Sequence, residues 1–204
     1  MLLLYGRHYS SRYRSIADLI PENATVLDLC CGPALLFHRC LRAKSVRYTG
    51  LDINEGFISR LIRYGAAGEV WDLRSARELP VSDYVIMQAS LYHFLPDASG
   101  VVNRMLKAAR KNVIIAEPIR NLTTSGSSVL SFIGRSFTNP GSGKQESRFN
   151  QTSLAAFFDL YSPYISRSFP IAGGREVVYV LDGRNQQSAS SESTEDAGDV
   201  NARR

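Results

Sequence analysis

The sequence predicts an α/β domain, doubly wound around a mostly parallel sheet with helices on both faces. Three observations predict it. Short β-branched runs alternate with segments of helical period. The gaps between most successive runs are long enough for a helical crossover, which joins parallel strands. Only the last two runs lie close enough to pair through a tight turn.

The elements follow in chain order. Ser10 to Ile20 has helical spacing and stops at Pro21, whose ring cannot continue a helix. Thr25-Val26-Leu27-Asp28-Leu29 reads as the first strand, Ala34 to Ala43 as a helix, Arg47 to Asp52 as the second strand and Asn54 to Tyr64 as a helix. Gly68 to Asp72 and Tyr84-Val85-Ile86-Met87 are the next strands. A helix from about Ala98 to Ala109 leads into the strand Asn112 to Ala116. Asn121 to Gly143 is rich in Ser, Thr and Gly, so residues 120–149 read as an inserted cover segment. Helical spacing returns after Asn150, a good N-cap residue type. Tyr164 to Phe169 and Glu176 to Leu181, joined through Ala172-Gly173-Gly174, predict an antiparallel hairpin at the sheet edge. Residues 1–182 therefore form one domain, in which 1–22 is a candidate lid helix. Residues 183–204 have the polar, aromatic-free composition of a disordered tail.

Composition bounds the function classes. The chain has 204 residues, 44% hydrophobic and 21% charged, enough apolar material for one core. No apolar run approaches the length of a spanning helix, and Met1 to Tyr5 is too short for a signal peptide core, so a cytoplasmic protein is expected. Cys30, Cys31 and Cys40 are an odd set with two adjacent members, which argues for reduced thiols. The net charge of +5 comes from 20 arginines and 4 lysines against 19 acids. Those arginines are scattered and form no basic block, which argues against nucleic acid as the partner.

Chemistry concentrates in Val26-Leu27-Asp28-Leu29-Cys30-Cys31-Gly32-Pro33-Ala34. An acid at the end of a buried strand is followed by a turn of small residues and then a helix, an arrangement that lets a ligand approach backbone N–H groups. Asp52 lies twenty residues beyond Gly32, at the end of the second strand, where a carboxylate can accept both hydroxyls of a ribose. The pair points to a nucleoside-containing cofactor. The dinucleotide pattern G-x-G-x-x-G is not met, because Cys30, Gly32 and Leu35 occupy its glycine positions; NAD is the weaker reading.

This segment resembles the first motif of class I S-adenosylmethionine-dependent methyltransferases, V-L-D-L-G-C-G-x-G, and the similarity extends over about residues 5 to 182. The resemblance implies a Rossmann-like, seven-stranded sheet with an antiparallel terminal strand, and S-adenosylmethionine as cofactor. It places Asp28 as the motif acid, Cys31 and Gly32 as the central pair, Asp52 on the ribose and Ile53 on adenine. Asp72 and Leu73 fall where the family contacts the adenine edge, and Gln88 follows the fourth strand. Leu91-Tyr92-His93-Phe94 resembles the L-x-H-F element of small-molecule members. Two residues depart from the pattern: Cys30 and Ala34 stand where the family prefers glycine, and Cys30 would border the methionine end of the cofactor.

Other roles carry their bland alternatives. Asp72 could equally cap a following helix, and the two cysteines read as small buried fillers. His38 receives no role. His93, at the carboxyl edge of the fourth strand, is the candidate base, with Tyr92 the poorer candidate because of its high unperturbed pKa. Tyr9, Tyr13 and Arg148 are candidate acceptor-binding residues. No His, Asp and Glu set has metal-ligand spacing, so no metal is expected. Gln88-Ala89-Ser90-Leu91 stands where amide and adenine N-methylators carry Asp/Asn-Pro-Pro-Tyr, which favours a small-molecule acceptor. Neither the acceptor molecule nor an oligomeric state is encoded in a recognisable motif. The competing reading is a non-catalytic binding or partner module that keeps the fold.

Overall fold

A computed structural model describes residues 9–119, 148–171 and 174–184. The strands are β1 (Thr25–Leu29), β2 (Arg47–Asp52), β3 (Ala67–Val70), β4 (Ser82–Gln88), β5 (Ala109–Pro118), β6 (Ile165–Pro170) and β7 (Glu176–Asp182). They form one seven-stranded sheet in the order β3-β2-β1-β4-β5-β7-β6. Strands β1 to β5 pair in parallel, and β7 runs antiparallel to both β5 and β6. The terminal hairpin is therefore present, with its second strand on the inside. Burial explains that order: Val178, Val180 and Leu181 of β7 are buried, whereas the Ser and Arg positions of β6 face solvent and suit an edge.

Among the described residues the α-helices are α1 (Tyr9–Ala17), α2 (Glu55–Arg63), α3 (Ala98–Ala108) and α4 (Gln151–Asp159). Asn54 caps α2 by accepting from the N–H groups of Gly56 and Phe57, and Asn150 caps α4 in a reciprocal pair with Ser153. Alternating side chains divide the core between the two faces of the sheet. Leu27, Leu29, Val85, Met87, Val113 and Ile115 pack against α3 and α4. Val26, Tyr48, Ile86, Ile114 and Val178 pack against α1, the segment after β1 and Leu61 of α2.

Two elements differ from the sequence expectation. Helix α1 ends at Ala17 instead of reaching Ile20, because Lys44 Nζ donates to the carbonyls of Ala17 (2.6 Å) and Ile20 (2.7 Å) and so satisfies the chain end. The expected helix 34–43 is a π-helical turn, Phe37–Leu41, followed by a 3-10 turn, Arg42–Lys44. The wider turn lets Leu36 and Leu41, five residues apart, share the buried face with Phe37. No helix joins β3 to β4; Trp71, Leu73 and Leu79 fill that layer directly, and Arg77 lies 3.7 Å above the Trp71 ring. The expected cover over residues 120–149 lies almost wholly outside the described residues, as do residues 1–8 of the lid and residues 185–204 of the tail.

Residues 9–20 of the expected lid are a packed layer of the domain. Tyr13, Ile16, Ala17 and Ile20 are buried against the sheet, and buried Arg12 donates through Nε to Glu176 Oε2 of β7 at 2.6 Å. The periodicity that predicts the helix also gives it an apolar face, and that face is used for packing.

Candidate functional site

The order of strands reverses between β1 and β4, and a crevice opens outside the carboxyl ends of strands at such a point. The chain leaving β1 turns there through three left-handed residues: Cys30 (φ 53°), Gly32 (φ 53°) and Ala34 (φ 49°). Cys30 and Ala34, the two departures from the glycine pattern, thus occupy backbone positions where glycine is unstrained and other L-residues cost about 1–2 kcal/mol each. A Cβ at Gly32 would meet nothing within 4 Å, so the space beyond its Cα is open. Gly50 of β2 has the opposite reason for being glycine: a Cβ there would come within 2.5 Å of Leu61 and 2.8 Å of Cys31 Sγ.

Asp52, buried at the end of β2, ties this turn down. Its Oδ2 accepts from the Gly32 N–H and its Oδ1 from the Asn54 N–H, both at 2.8 Å. Each oxygen keeps a second lone pair for another donor. Ile53, next in the chain, is 46% exposed, an uncovered apolar surface beside that carboxylate. Asp72 is exposed and accepts from the Arg74 N–H at 2.9 Å, forming a side-chain turn; no helix begins there. Leu73 is buried in the core below.

Asp28 lies under the same turn. The Tyr48 hydroxyl donates to its Oδ2 at 2.6 Å, and no described residue donates to Oδ1. Burial, only partly offset by Tyr48, pushes the Asp28 carboxyl up to about 7. Burial also raises the Cys30 and Cys31 thiols strongly, and nearby carboxylates add to it. That direction disfavours the thiolate form, although both cysteines are only partly buried.

The other side of the crevice begins at Gln88, whose Oε1 is buried without a donor from the described residues. Ala89 is left-handed (φ 51°), and its N–H donates to the Ala116 carbonyl at 2.7 Å. A 3-10 turn, Leu91–Phe94, follows. It brings together three of the residues singled out by sequence. The Tyr92 and His93 rings lie 4.0 Å apart, and the Arg148 guanidinium sits 4.3 Å from the Tyr92 ring centre. Tyr92 is 2% exposed and His93 half-buried. Arg74 Nη2 donates to the His93 carbonyl at 3.1 Å, linking the turn to the strand end that carries Asp72.

One candidate is not brought there. Tyr13 is 4% exposed within the core and accepts from Arg12 Nη1, because it lies on the packed face of α1. Tyr9 opens α1, and its side chain lies outside the described residues.

Two buried acids beside these, Glu117 and Glu176, are not singled out by the sequence, and Arg12, which the sequence places in a basic and aromatic cluster of the first helix, is buried as well. Glu117, at the end of β5, accepts through Oε1 from the N–H groups of Ser90 and Leu91, both at 2.7 Å. Burial pushes its carboxyl up to about 7 despite those bonds and the nearby Arg12. A signal is present, since Glu117 ends an apolar β-branched run where solvated acids are rare.

Comparison with known proteins places this arrangement. The model of the family described as methionine biosynthesis protein MetW matches residues 10–124, more than half of the chain. The chain belongs to the MetW family. No curated protein matches it by sequence. Solved structures similar to this MetW-family chain include a magnesium protoporphyrin IX methyltransferase from Synechocystis PCC 6803 with bound SAM. That pair is 13% identical, with TM-score 0.59, covering 86% of this chain and 79% of the other. A TehB-like SAM-dependent methyltransferase from Corynebacterium glutamicum is 16% identical, with TM-score 0.59, covering 88% and 91%. An rRNA methylase from Escherichia coli is 16% identical, with TM-score 0.58, covering 84% of this chain and 62% of that one. The MetW-family chain has the Rossmann-like fold of class I SAM-dependent methyltransferases, as its motif and its strand order both require.

Proposed function

We propose that this MetW-family chain is an S-adenosylmethionine-dependent methyltransferase acting on a small-molecule acceptor. The observation that carries the proposal is the Asp52 carboxylate, held at the end of β2 by Gly32 and Asn54, with free lone pairs and the exposed Ile53 beside it. The residues fit the cofactor: Asp52 for the ribose hydroxyls, Ile53 and Asp72 at the adenine, and the open face of Gly32 beneath the sugar and methionine portions. Asp28 offers an undonated buried oxygen on the motif strand, and Cys31, Leu73 and Gln88 line or support the same edge.

When bound, S-adenosylmethionine supplies an electrophilic methyl group on a sulfonium. The chain's own contribution is alignment and exclusion of water, so few residues need act chemically. For a hydroxyl acceptor, His93 takes the proton as the hydroxyl oxygen attacks. Tyr92 supports the His93 ring, and its deep burial fits support better than proton transfer. Among the acceptor-binding candidates, Arg148 lies over the Tyr92 face at this turn. An amine or carboxylate acceptor would need no base.

A second reading has its own observation. Cys30 and Ala34 hold strained left-handed positions, as in a site that has drifted from the glycine pattern toward a non-catalytic binding module. The test is methyl transfer from methyl-labelled S-adenosylmethionine to two pools, a low-molecular-weight metabolite extract and ribosomal RNA. Label in small molecules, reduced roughly 100-fold or more in His93→Ala, is expected for a hydroxyl acceptor. Label in RNA alone would overturn the small-molecule assignment. S-adenosylhomocysteine binding without transfer to either pool would favour the non-catalytic module.

A further inference from the structure

The turn that carries His93 begins with an unusual anchor. A 3-10 or α-helical turn leaves its first N–H groups without partners inside the turn, and water or a local side chain ordinarily satisfies them. Here a carboxylate from another strand does so. Ser90 N–H and Leu91 N–H both donate to Glu117 Oε1 at 2.7 Å, and Glu117 is fully buried at the end of β5, 27 and 26 residues away in sequence.

Burying a carboxyl group is costly, and here two backbone N–H groups converge on one of its oxygens. What this side chain adds is reach and direction: its length carries one sp2 oxygen from β5 to both N–H groups at hydrogen-bond distance. Among the described residues nothing donates to Glu117 Oε2, so the polar contacts this carboxyl makes go to the turn. The turn in its place holds the Tyr92 and His93 rings 4.0 Å apart, with Arg148 over Tyr92.

We propose that Glu117 is a positioning residue for the acceptor side of the site, fixing the backbone of residues 90–94 and through it the His93 ring. This rests on the reading of the turn as the acceptor side. Glu176 of β7 and Arg12 of α1, paired with each other, act on this carboxyl electrostatically in opposite senses, Glu176 raising its pKa and Arg12 lowering it.

The test uses the full chain and three variants: Glu117→Leu, Glu117→Asp and Glu117→Gln. Leucine removes the acceptor, aspartate keeps the charge but withdraws the oxygens by one methylene, and glutamine keeps the acceptor in place without the charge. Amide hydrogen exchange at Ser90 and Leu91 is expected to accelerate at least tenfold in the leucine and aspartate variants and to stay within threefold of the parent in the glutamine variant. The ring resonances of His93 should move in the first two and hold in the third, while those of His38, on the opposite face of the sheet, stay put. S-adenosylhomocysteine affinity, read from the fluorescence of the sole tryptophan, Trp71, should remain within threefold throughout. Should the leucine variant fail to fold, the aspartate and glutamine pair decides the question alone. Unchanged exchange at Ser90 and Leu91 in the aspartate variant overturns the proposal, and so does equal acceleration in β1 and β2, which would mean general loosening. A parent protein that binds no S-adenosylhomocysteine would defeat the cofactor reading and leave the exchange and resonance comparison intact.

Discussion

The two sides of the crevice are built in opposite ways. On the β1–β2 side, the groups that define the site come from two neighbouring strands, and they fasten one another: Asp52 holds Gly32, twenty residues away, and Tyr48 holds Asp28, also twenty away. On the β4–β5 side, the turn of residues 90–94 is held by Glu117 and covered by Arg148, and the neighbouring β7 is tied to α1 through Glu176 and Arg12, 164 residues apart. The first side is a local motif. The second exists only once the whole sheet has closed, and variants should separate the two.

The largest expected effect lies on the second side. Arg12→Ala removes the 2.6 Å partner of buried Glu176, and breaking a buried pair in this way costs about 3–5 kcal/mol. Urea unfolding should show that loss, while the folded fraction keeps its affinity for S-adenosylhomocysteine. Replacing both partners by leucine should recover most of the stability. An equal loss of cofactor affinity would mean that the two sides are one cooperative unit. The same packing determines what truncation would do: removing residues 1 to 14 would take Arg12 and Tyr13 out of the core, so it should destabilise the sheet rather than merely open a lid.

Next comes pH, which acts on both sides with one sign. Burial raises Asp28 from 3.8 and Glu117 from 4.5, each to about 7. Between the ordinary values and about 7 the folded chain therefore binds more protons than the unfolded chain. Stability falls as pH rises through that window, with a limiting slope of about 1.4 kcal/mol per pH unit for each of the two carboxyls. Above about 7 the full penalty is in place and the slope flattens. Asp83 and Asp182, whose carboxyls are lowered by hydrogen bonds to Thr25 and Arg184, act in the opposite sense below their ordinary value. Asp28→Asn should remove part of the slope and leave exchange at Ser90 and Leu91 untouched. Urea midpoints taken from pH 4.5 to 8 check it, and a slope identical to the parent's would contradict the assignment of Asp28.

What can be read in the sequence follows the same division. The strand runs, the capping Asn150 and the spacing of Asp28, Gly32 and Asp52 are short-range features, so periodicity and spacing carry them. The inner place of β7, the packing of α1 and the role of Glu117 depend on which strands become neighbours, and no local pattern encodes that. The π-helical turn escapes the sequence for a related reason: residues 34–43 satisfy a helical period, and the wider turn is chosen by where Leu36 and Leu41 must pack. Periodicity misplaces Tyr13 because an amphipathic helix shows an apolar face without saying what covers it.

A smaller effect is expected on the first side. Cys30→Gly with Ala34→Gly relieves two left-handed positions, against the added entropy of glycine in the unfolded chain. Net stabilisation of about 1 kcal/mol is expected, with tighter S-adenosylhomocysteine binding and no change at the Leu91–Phe94 turn. Thermal unfolding and calorimetric titration read the two quantities. Lower stability in the double variant would show that the side chains support the turn.

The central claim is that the β1–β2 side holds the nucleoside of S-adenosylmethionine through Asp52. Calorimetric titration of the parent and Asp52→Ala with S-adenosylhomocysteine tests it most directly. Losing charge-assisted acceptors for ribose hydroxyls costs about 1.5–3 kcal/mol per bond, so the account predicts an affinity at least tenfold weaker in the variant. Equal affinity in the two proteins, with both folded by circular dichroism, would contradict it.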